Sequence, residues 1–266
     1  MVNLDWSKKQ LNGASILIVE DNPINQMIVA DILESIGTKI TSAENGQQAL
    51  NRLANENFDL IIMDTQMPIM DGYETTNHIR NILKLQNIPI VALTAYATPE
   101  HRQSCLRAGM NDFMSKPVNP KLLYQILAKW ISRNNFCINT CNNPVNEENA
   151  VSPIDIDVLK NVFDHDSQLI RIFSLKFLEV AEETLNEIHQ ARICNDIKSM
   201  GNQGHKLKSS ALSMGAFHLS ELCNRLEIAG NNNDQQLAGQ ICDQIFEHHR
   251  QVRIKLKEML TKEFQG

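Results

Sequence analysis

Apolar and polar positions alternate along this chain in two different rhythms. From Ser15 to about Arg133, short apolar runs (SILIVE at 15–20, TKITSA at 38–43, DLIIMD at 59–64, IPIVALT at 88–94, NDFMS at 111–115) are separated by amphipathic segments near 24–36, 45–56, 72–84, 99–108 and 119–133. Strand–helix alternation of this kind, repeated five times, predicts a doubly wound parallel sheet covered by helices on both faces. The runs are rich in Ile, Val and Leu and lack polar alternation, as strands buried on both faces do. Residues 134–152 lose periodicity and become rich in asparagine, which marks a linker. Past Pro153 no strand-like run follows, and helical patterns occupy 155–163, 167–193, 196–214, 217–230 and 234–263, with a turn at Asn231, Asn232 and Asn233. The organisation expected is a leader (1–14), an α/β domain (15–133), a linker (134–152) and an all-α helical bundle (153–266).

Composition narrows the classes. A chain of 266 residues accommodates two domains of ordinary size. Its net charge of −6, with no lysine- or arginine-rich block, argues against a nucleic-acid binder. No apolar run approaches membrane-spanning length and no secretory signal opens the chain, so a soluble cytoplasmic location is expected. Cys105, Cys137, Cys141, Cys194, Cys223 and Cys242 are scattered without a C-x-x-C pair, which favours reduced thiols over zinc or a disulfide framework.

The predicted strands end in chemistry. Glu20 and Asp21 close the first and Asp64 the third, and in an open parallel sheet these carboxyl ends share one edge. Converging carboxylates repel one another unless a divalent cation sits among them, and hard oxygen ligands of this type suit Mg2+. Thr94 and Ala95 end the fourth strand, and Ser115, Lys116 and Pro117 the fifth, which adds a hydroxyl and one ammonium. Carboxylates, a metal, a hydroxyl and a lysine are the parts that move a phosphoryl group, with an aspartate able to act as nucleophile. Taken singly, Asp21 reads as a helix cap and Asp64 as a turn residue. All of them at successive strand ends leave chance a poor explanation.

In the second half, His205 stands out among eight histidines. On a helix it shares a face with Gly201, Asn202, Lys208, Ser209 and Leu212, while Met200, Leu207, Ala211 and Met214 form the opposite apolar stripe. The small neighbours would leave the ring exposed, and Lys208 would meet an incoming anion. Gly201 and Gly204 weaken a helix, so they imply close approach or access, or else a helix that starts near 205. His248 and His249, in a long polar helix, read as solvated.

Residues 15–133 resemble a response-regulator receiver domain. The resemblance rests on Leu17-Ile18-Val19-Glu20-Asp21-Asn22, on Asp64-Thr65-Gln66-Met67-Pro68-Ile69-Met70-Asp71-Gly72, on Leu93-Thr94-Ala95 and on Lys116-Pro117. It implies a flavodoxin-like five-stranded sheet in which Asp64 is the phosphoacceptor. Asp21, Asp64 and the backbone carbonyl of Gln66 would ligate Mg2+, with Glu20 acting through water. It further implies that Thr94 contacts the phosphoryl group, that Phe113 is the aromatic switch and that the Lys116–Pro117 bond is cis. Glu20 stands where many single-domain regulators carry aspartate, a departure shared with receivers of hybrid sensor kinases.

Residues 153–263 resemble a histidine-containing phosphotransfer (Hpt) domain through His205, Leu207, Lys208, Ser209, Ser210, Ala211, Gly215 and Ala216, with Ser209 where glycine is common. This implies a four-helix bundle that presents His205 to receivers, with Lys208 steadying the phosphoryl group and no kinase activity of its own. Together the two resemblances imply the middle of a multistep phosphorelay. An upstream histidine kinase would feed Asp64, and His205 would pass phosphate to a downstream receiver aspartate. No glycine-rich nucleotide-binding box is present, so the chain is expected to be either the C-terminal piece of a hybrid sensor kinase or a free-standing relay protein. The rival reading is a binding switch in which the helical domain is docked or released and His205 is bystander surface.

Overall fold

The computed structural model describes residues 4–95, 98–131, 152–163 and 165–263. It divides into two compact units, Met1–Asn142 and Asn143–Gly266. The linker expected at 134–152 lies outside the described residues apart from Ser152, and so do Cys137 and Cys141.

The first unit is a parallel sheet of five strands: β1 (Ser15–Val19), β2 (Lys39–Ala43), β3 (Leu60–Asp64), β4 (Ile90–Thr94) and β5 (Asp112–Ser115), in the order β2-β1-β3-β4-β5. This is the flavodoxin-like order, in which the chain reverses direction across the sheet beside β1 and leaves a crevice at the carboxyl ends of β1 and β3. Strands β1, β3 and β4 are buried almost throughout, as their unbroken apolar sequence requires. Strand β2 departs from that expectation and is only partly covered, because it forms an edge of the sheet.

Between the strands run α2 (Pro23–Glu34), α3 (Gly46–Asn55), α4 (Gly72–Asn81), α5 (Pro99–Ala108) and α6 (Pro120–Ile131). Their starts are written in the sequence. Asn22 caps α2, its Oδ1 accepting from the backbone N–H of Ile24 and Asn25 at 3.0 and 3.3 Å, and Pro23 fills the first turn. Asp71 caps α4 in the same way, accepting from the Glu74 N–H at 2.8 Å. Gly72 then lets α4 start against the strand end that carries Asp64, where a Cβ would fall 2.1 Å from the Asp64 carbonyl oxygen. Within the stretch read as a leader, Leu4–Leu11 forms α1, which packs on α6 and buries Ser7 and Leu11.

The second unit is helical: α7 (Ile156–Val162), α8 (Ser167–Ile193), α9 (Ile197–Ser213), α10 (Phe217–Asn231) and α11 (Gln235–Glu263). Helices α8 to α11 form a four-helix bundle in which α9 packs on α8 and α10, and α11 on α10 and α8. Asn195 and Asn233 take left-handed φ values of 55° after α8 and α10, the conformation that ends a helix and that asparagine tolerates. Gly215 (φ 76°) turns α9 into α10 against the start of the unit, its carbonyl accepting from the Asp155 N–H at 2.9 Å. Among the described residues no helix is long and apolar enough to cross a membrane, and Cys105, Cys194, Cys223 and Cys242 are free thiols.

Candidate functional site

The strand ends bring the predicted acids together. Each of Glu20, Asp21 and Asp64 offers a carboxylate oxygen, and these oxygens lie within 4.8 Å of one another. Glu20 and Asp64 are buried, while Asp21 is partly exposed at the mouth of the crevice. Lys116 reaches in from the end of β5, its Nζ 2.7 Å from Glu20 Oε2 and 2.7 Å from Asp64 Oδ2. Its side chain is almost completely buried, so this ammonium has a fixed address. The Lys116–Pro117 peptide is cis. Gln66 contributes its backbone N–H to Asp64 Oδ1 at 3.1 Å, and its side chain is exposed. Thr94 is buried at the end of β4, the strand paired with β3, and its carbonyl accepts from the Lys116 N–H at 2.8 Å.

Charge in this crevice is unbalanced, with three carboxylates against one ammonium. Burial, then the neighbouring Asp64, push the Glu20 carboxyl up to about 8, against the pull of Lys116 and Asn25. Burial alone would lower the Lys116 ammonium, but Asp64 and Glu20 outweigh it and raise it above its ordinary value. A buried acid forced toward protonation is relieved equally well by a hard divalent cation, so the donor set fits one. Asn25 was not singled out by the sequence analysis. Its Nδ2 donates to Glu20 Oε1 at 2.9 Å, and its only sequence signal is its place one turn into the helix that Asn22 caps. Phe113 is buried on β5, with the Arg102 guanidinium 5.4 Å from its ring centroid.

The second cluster lies on α9 and α10. His205 is partly exposed in mid-helix, eight residues after α9 begins at Ile197, which rules out a helix start as the reason for Gly201 and Gly204. Both glycines are buried against α10, where a Cβ on Gly201 would meet Gly230 Cα at 3.0 Å and one on Gly204 the Cys223 carbonyl at 2.9 Å. Their purpose is close approach of two helices. The expected face is corrected accordingly: Asn202 is exposed and Ser209 and Leu212 are partly so, but Gly201 and Lys208 are buried. The apolar stripe of Met200, Leu207, Ala211 and Met214 is buried as expected.

The crossing delivers a residue that sequence reasoning missed. Glu227, on α10, sets Oε1 3.0 Å from His205 Nδ1 and accepts from Lys208 Nζ through Oε2 at 2.7 Å. Burial alone would raise this carboxyl, but the hydrogen bonds to His205 and Lys208 prevail and bring it down to about 2. Glu227 lies 22 positions from His205 in an ordinary amphipathic helix, so nothing in its neighbourhood singled it out. His249 is also corrected: it is 5% exposed, pointing inward from α11, and the neighbouring His248 packs against His218 with ring centroids 4.6 Å apart.

Comparison with known proteins matches these two clusters to two families. A family model described as a response regulator receiver domain matches residues 16–128, and one described as an Hpt domain matches residues 174–263. The sensor protein GacS of Pseudomonas syringae pv. syringae is 32% identical over 225 residues, covering 80% of this chain and 24% of that protein. The signal transduction histidine-protein kinase BarA of Escherichia coli K12 is 26% identical over 215 residues, covering 80% of this chain and 23% of that protein. The chain thus spans about a quarter of the length of these relatives. The solved receiver domain of a sensor histidine kinase from Pseudomonas aeruginosa PAO1 is 42% identical, covering 45% of this chain and 98% of that one, with a TM-score of 0.43. This chain belongs to the two-component signalling proteins, joining a response regulator receiver domain to an Hpt domain in the order found at the C-terminus of hybrid histidine kinases.

Proposed function

We propose that the chain relays phosphate through Asp64 and then His205, as an intermediate of a multistep phosphorelay. The observation that supports this reading is that one chain holds two groups suited to accept phosphate: a carboxylate beside a buried lysine, and an imidazole bound through Nδ1 to a carboxylate. A carboxylate that accepts from Nδ1–H leaves the lone pair on Nε2, which makes Nε2 the nucleophile.

In the first step, an Asp64 carboxylate oxygen attacks the phosphorus of a phosphohistidine on an upstream histidine kinase. The P–N bond breaks, the imidazole leaves, and an acyl phosphate forms on Asp64. Glu20, Asp21, Asp64 and the Gln66 carbonyl would hold Mg2+, which neutralises the phosphoryl oxygens when bound. Lys116, held at the same edge, offsets the same developing charge, and Thr94 offers its hydroxyl to the transferred group. In the second step His205 Nε2 attacks that phosphorus, the P–O bond breaks and the Asp64 carboxylate returns. The imidazole then carries its proton on Nδ1 and the phosphoryl group on Nε2, and Glu227 balances the positive charge. Lys208 steadies Glu227 and the phosphoryl oxygens. A receiver aspartate of a downstream regulator finally takes the group. We place the relay in the cytoplasm, on the cytoplasmic side of a sensor kinase if the chain is part of one.

Phosphate followed on the purified protein tests the reading, with acetyl phosphate and Mg2+ as donor and with wild type, Asp64→Asn and His205→Gln compared for acid-labile and base-labile label. The relay requires label on His205 that disappears in Asp64→Asn. Label on Asp64 with none ever reaching His205 would overturn it in favour of a binding switch.

A further inference from the structure

Two imidazoles of the helical unit meet where α10 begins beside α11. His218 is the second residue of α10 and His248 lies midway along α11, with ring centroids 4.6 Å apart and ring planes crossing at 71°. His248 donates a ring N–H to the Pro153 carbonyl. Its Nε2 is buried without a hydrogen-bond partner, so the donor is Nδ1 and the lone pair stands on Nε2. A backbone carbonyl on one imidazole nitrogen is how metal-binding histidines are held in the tautomer that leaves the other nitrogen open. A buried lone pair with nothing to accept from lowers stability, and no described group of the protein answers this one. His249 shares the unpartnered Nε2, but it is 5% exposed and the Arg253 charge beside it opposes a cation. His248 instead has a second imidazole next to it, and that imidazole is exposed, which gives an ion a way in. Glu247, the residue before it, acts on the ring with a charge that favours a cation.

We propose that His218 and His248 bind one divalent ion of the zinc, nickel and copper class. Nitrogens that share a tetrahedral ion at about 2.0–2.1 Å stand about 3.4 Å apart. Rings with centroids 4.6 Å apart reach that separation once His218, exposed at the start of its helix, turns its ring. Neutral imidazoles suit these ions and not Mg2+, which takes oxygen ligands, so the two units would select different metals. Among the described residues the acidic crevice is the one cluster of three or more ligating side chains, so water would complete the shell here. The bound ion would tie the start of α10, the middle of α11 and the Pro153 segment that opens the unit. His218 stands nine residues before Glu227 on the same helix, about 13 Å along its axis, so the pair is separate from the His205 cluster. The assignment is independent of the relay reading.

The test titrates Zn2+ into the full-length chain carrying His205→Gln, so that the imidazole beside Glu227 does not compete, with Mg2+ present throughout. The ring NMR signals of His218 and His248 should move together and saturate at one equivalent, and the Tm of the helical unit should rise by several degrees. Mg2+ alone should move neither ring. His218→Asn, at an exposed position, keeps the fold and should weaken Zn2+ binding at least about tenfold and abolish the rise in Tm. His248→Asn should do the same, and if its lost bond to Pro153 unfolds the unit, His218→Asn decides alone. Ring signals that ignore Zn2+ overturn the proposal. So does a rise in Tm that persists in full in His218→Asn, because the ion would then sit elsewhere, on thiols such as the exposed Cys194. Equal ring shifts with Mg2+ and Zn2+ would overturn the class of ion assigned.

Discussion

Gly201 and Gly230 let α9 and α10 cross backbone to backbone: a Cβ on Gly230 would stand 2.7 Å from Gly201 Cα. His205 sits one turn after Gly201 and Glu227 one turn before Gly230, so this crossing is what places the carboxylate at the imidazole. Gly230→Ala gains helix propensity but forces the backbones apart. The net loss should be about 1–2 kcal/mol, seen as a Tm lowered by several degrees for the helical unit. Gly239, in the first turns of α11, is the control, since a Cβ there meets nothing within 4 Å. Gly239→Ala should stabilise the same unit by about 0.5–1 kcal/mol. Equal effects of the two substitutions in thermal unfolding would remove the close crossing from the account.

Glu227 is expected to set the tautomer of His205. Glu227→Gln keeps an oxygen acceptor but loses the charge that balances a phosphorylated imidazole, so phosphoryl transfer to His205 should slow about tenfold with the fold intact. Nitrogen chemical shifts of the His205 ring report the cause independently of activity, through a smaller population with the proton on Nδ1. Glu227→Ala also strips the buried Lys208 ammonium of its partner and should cost the helical unit about 2 kcal/mol. A Glu227→Gln protein that transfers at the parental rate, with unchanged ring shifts, would make the residue structural only.

Much of this was legible in the sequence for a definite reason. Strand ends are local events, so the runs closing at Asp64 and Thr94 placed the acidic edge, whereas the cap of α2 is Asn22 and not Asp21, the residue that taken singly reads as one. The burial of Lys208 and His249 and the role of Glu227 were not legible, because each depends on which helix lies opposite. A polar position on an amphipathic helix looks the same whether it faces water or a partner carboxylate. Gly201 and Gly204 did carry the information, as residues whose only benefit in mid-helix is close approach, but which helix approaches is a long-range fact. Strand β2 deceived in the opposite direction, because an apolar run does not reveal whether its strand is central or at an edge.

Lys116 bridges two buried carboxylates, Glu20 and Asp64, and its removal separates charge balance from metal binding. Lys116→Met leaves Glu20 and Asp64 facing each other without a cation, which should destabilise the receiver unit by about 3 kcal/mol in the absence of divalent ions. Mg2+ should then recover more stability in the variant than in wild type, since it binds the folded acids and not the unfolded chain. Asp21→Asn should weaken the Mg2+-dependent rise in Tm in either background. A Tm that ignores Mg2+ in wild type, Lys116→Met and Asp21→Asn alike would refute the assignment of the acids as a cation site.

Acidification should loosen the helical unit before it reaches the Glu227 carboxylate itself. Burial, chiefly, lowers the His249 imidazole below its ordinary 6.5, with Glu182 opposing and Arg253 adding to the fall. Burial and then the adjacent His218 do the same to His248, whose ring N–H donates to the Pro153 carbonyl. Above pH 6.5 both rings are neutral whether the chain is folded or not, and they cost nothing. As pH falls through 6.5 the unfolded chain takes up protons that the folded one refuses, so stability drops until the lowered folded values are reached. The slope from buried His249 alone approaches about 1.4 kcal/mol per pH unit. Glu227, held near 2, is ionised throughout this window, and its contribution is lost only as pH falls below the ordinary carboxyl value of 4.5. Thermal unfolding between pH 7.5 and 5 should therefore show a falling Tm for the helical unit, and His249→Leu should flatten the decline. A His249→Leu protein with the parental pH slope would assign the acid sensitivity elsewhere.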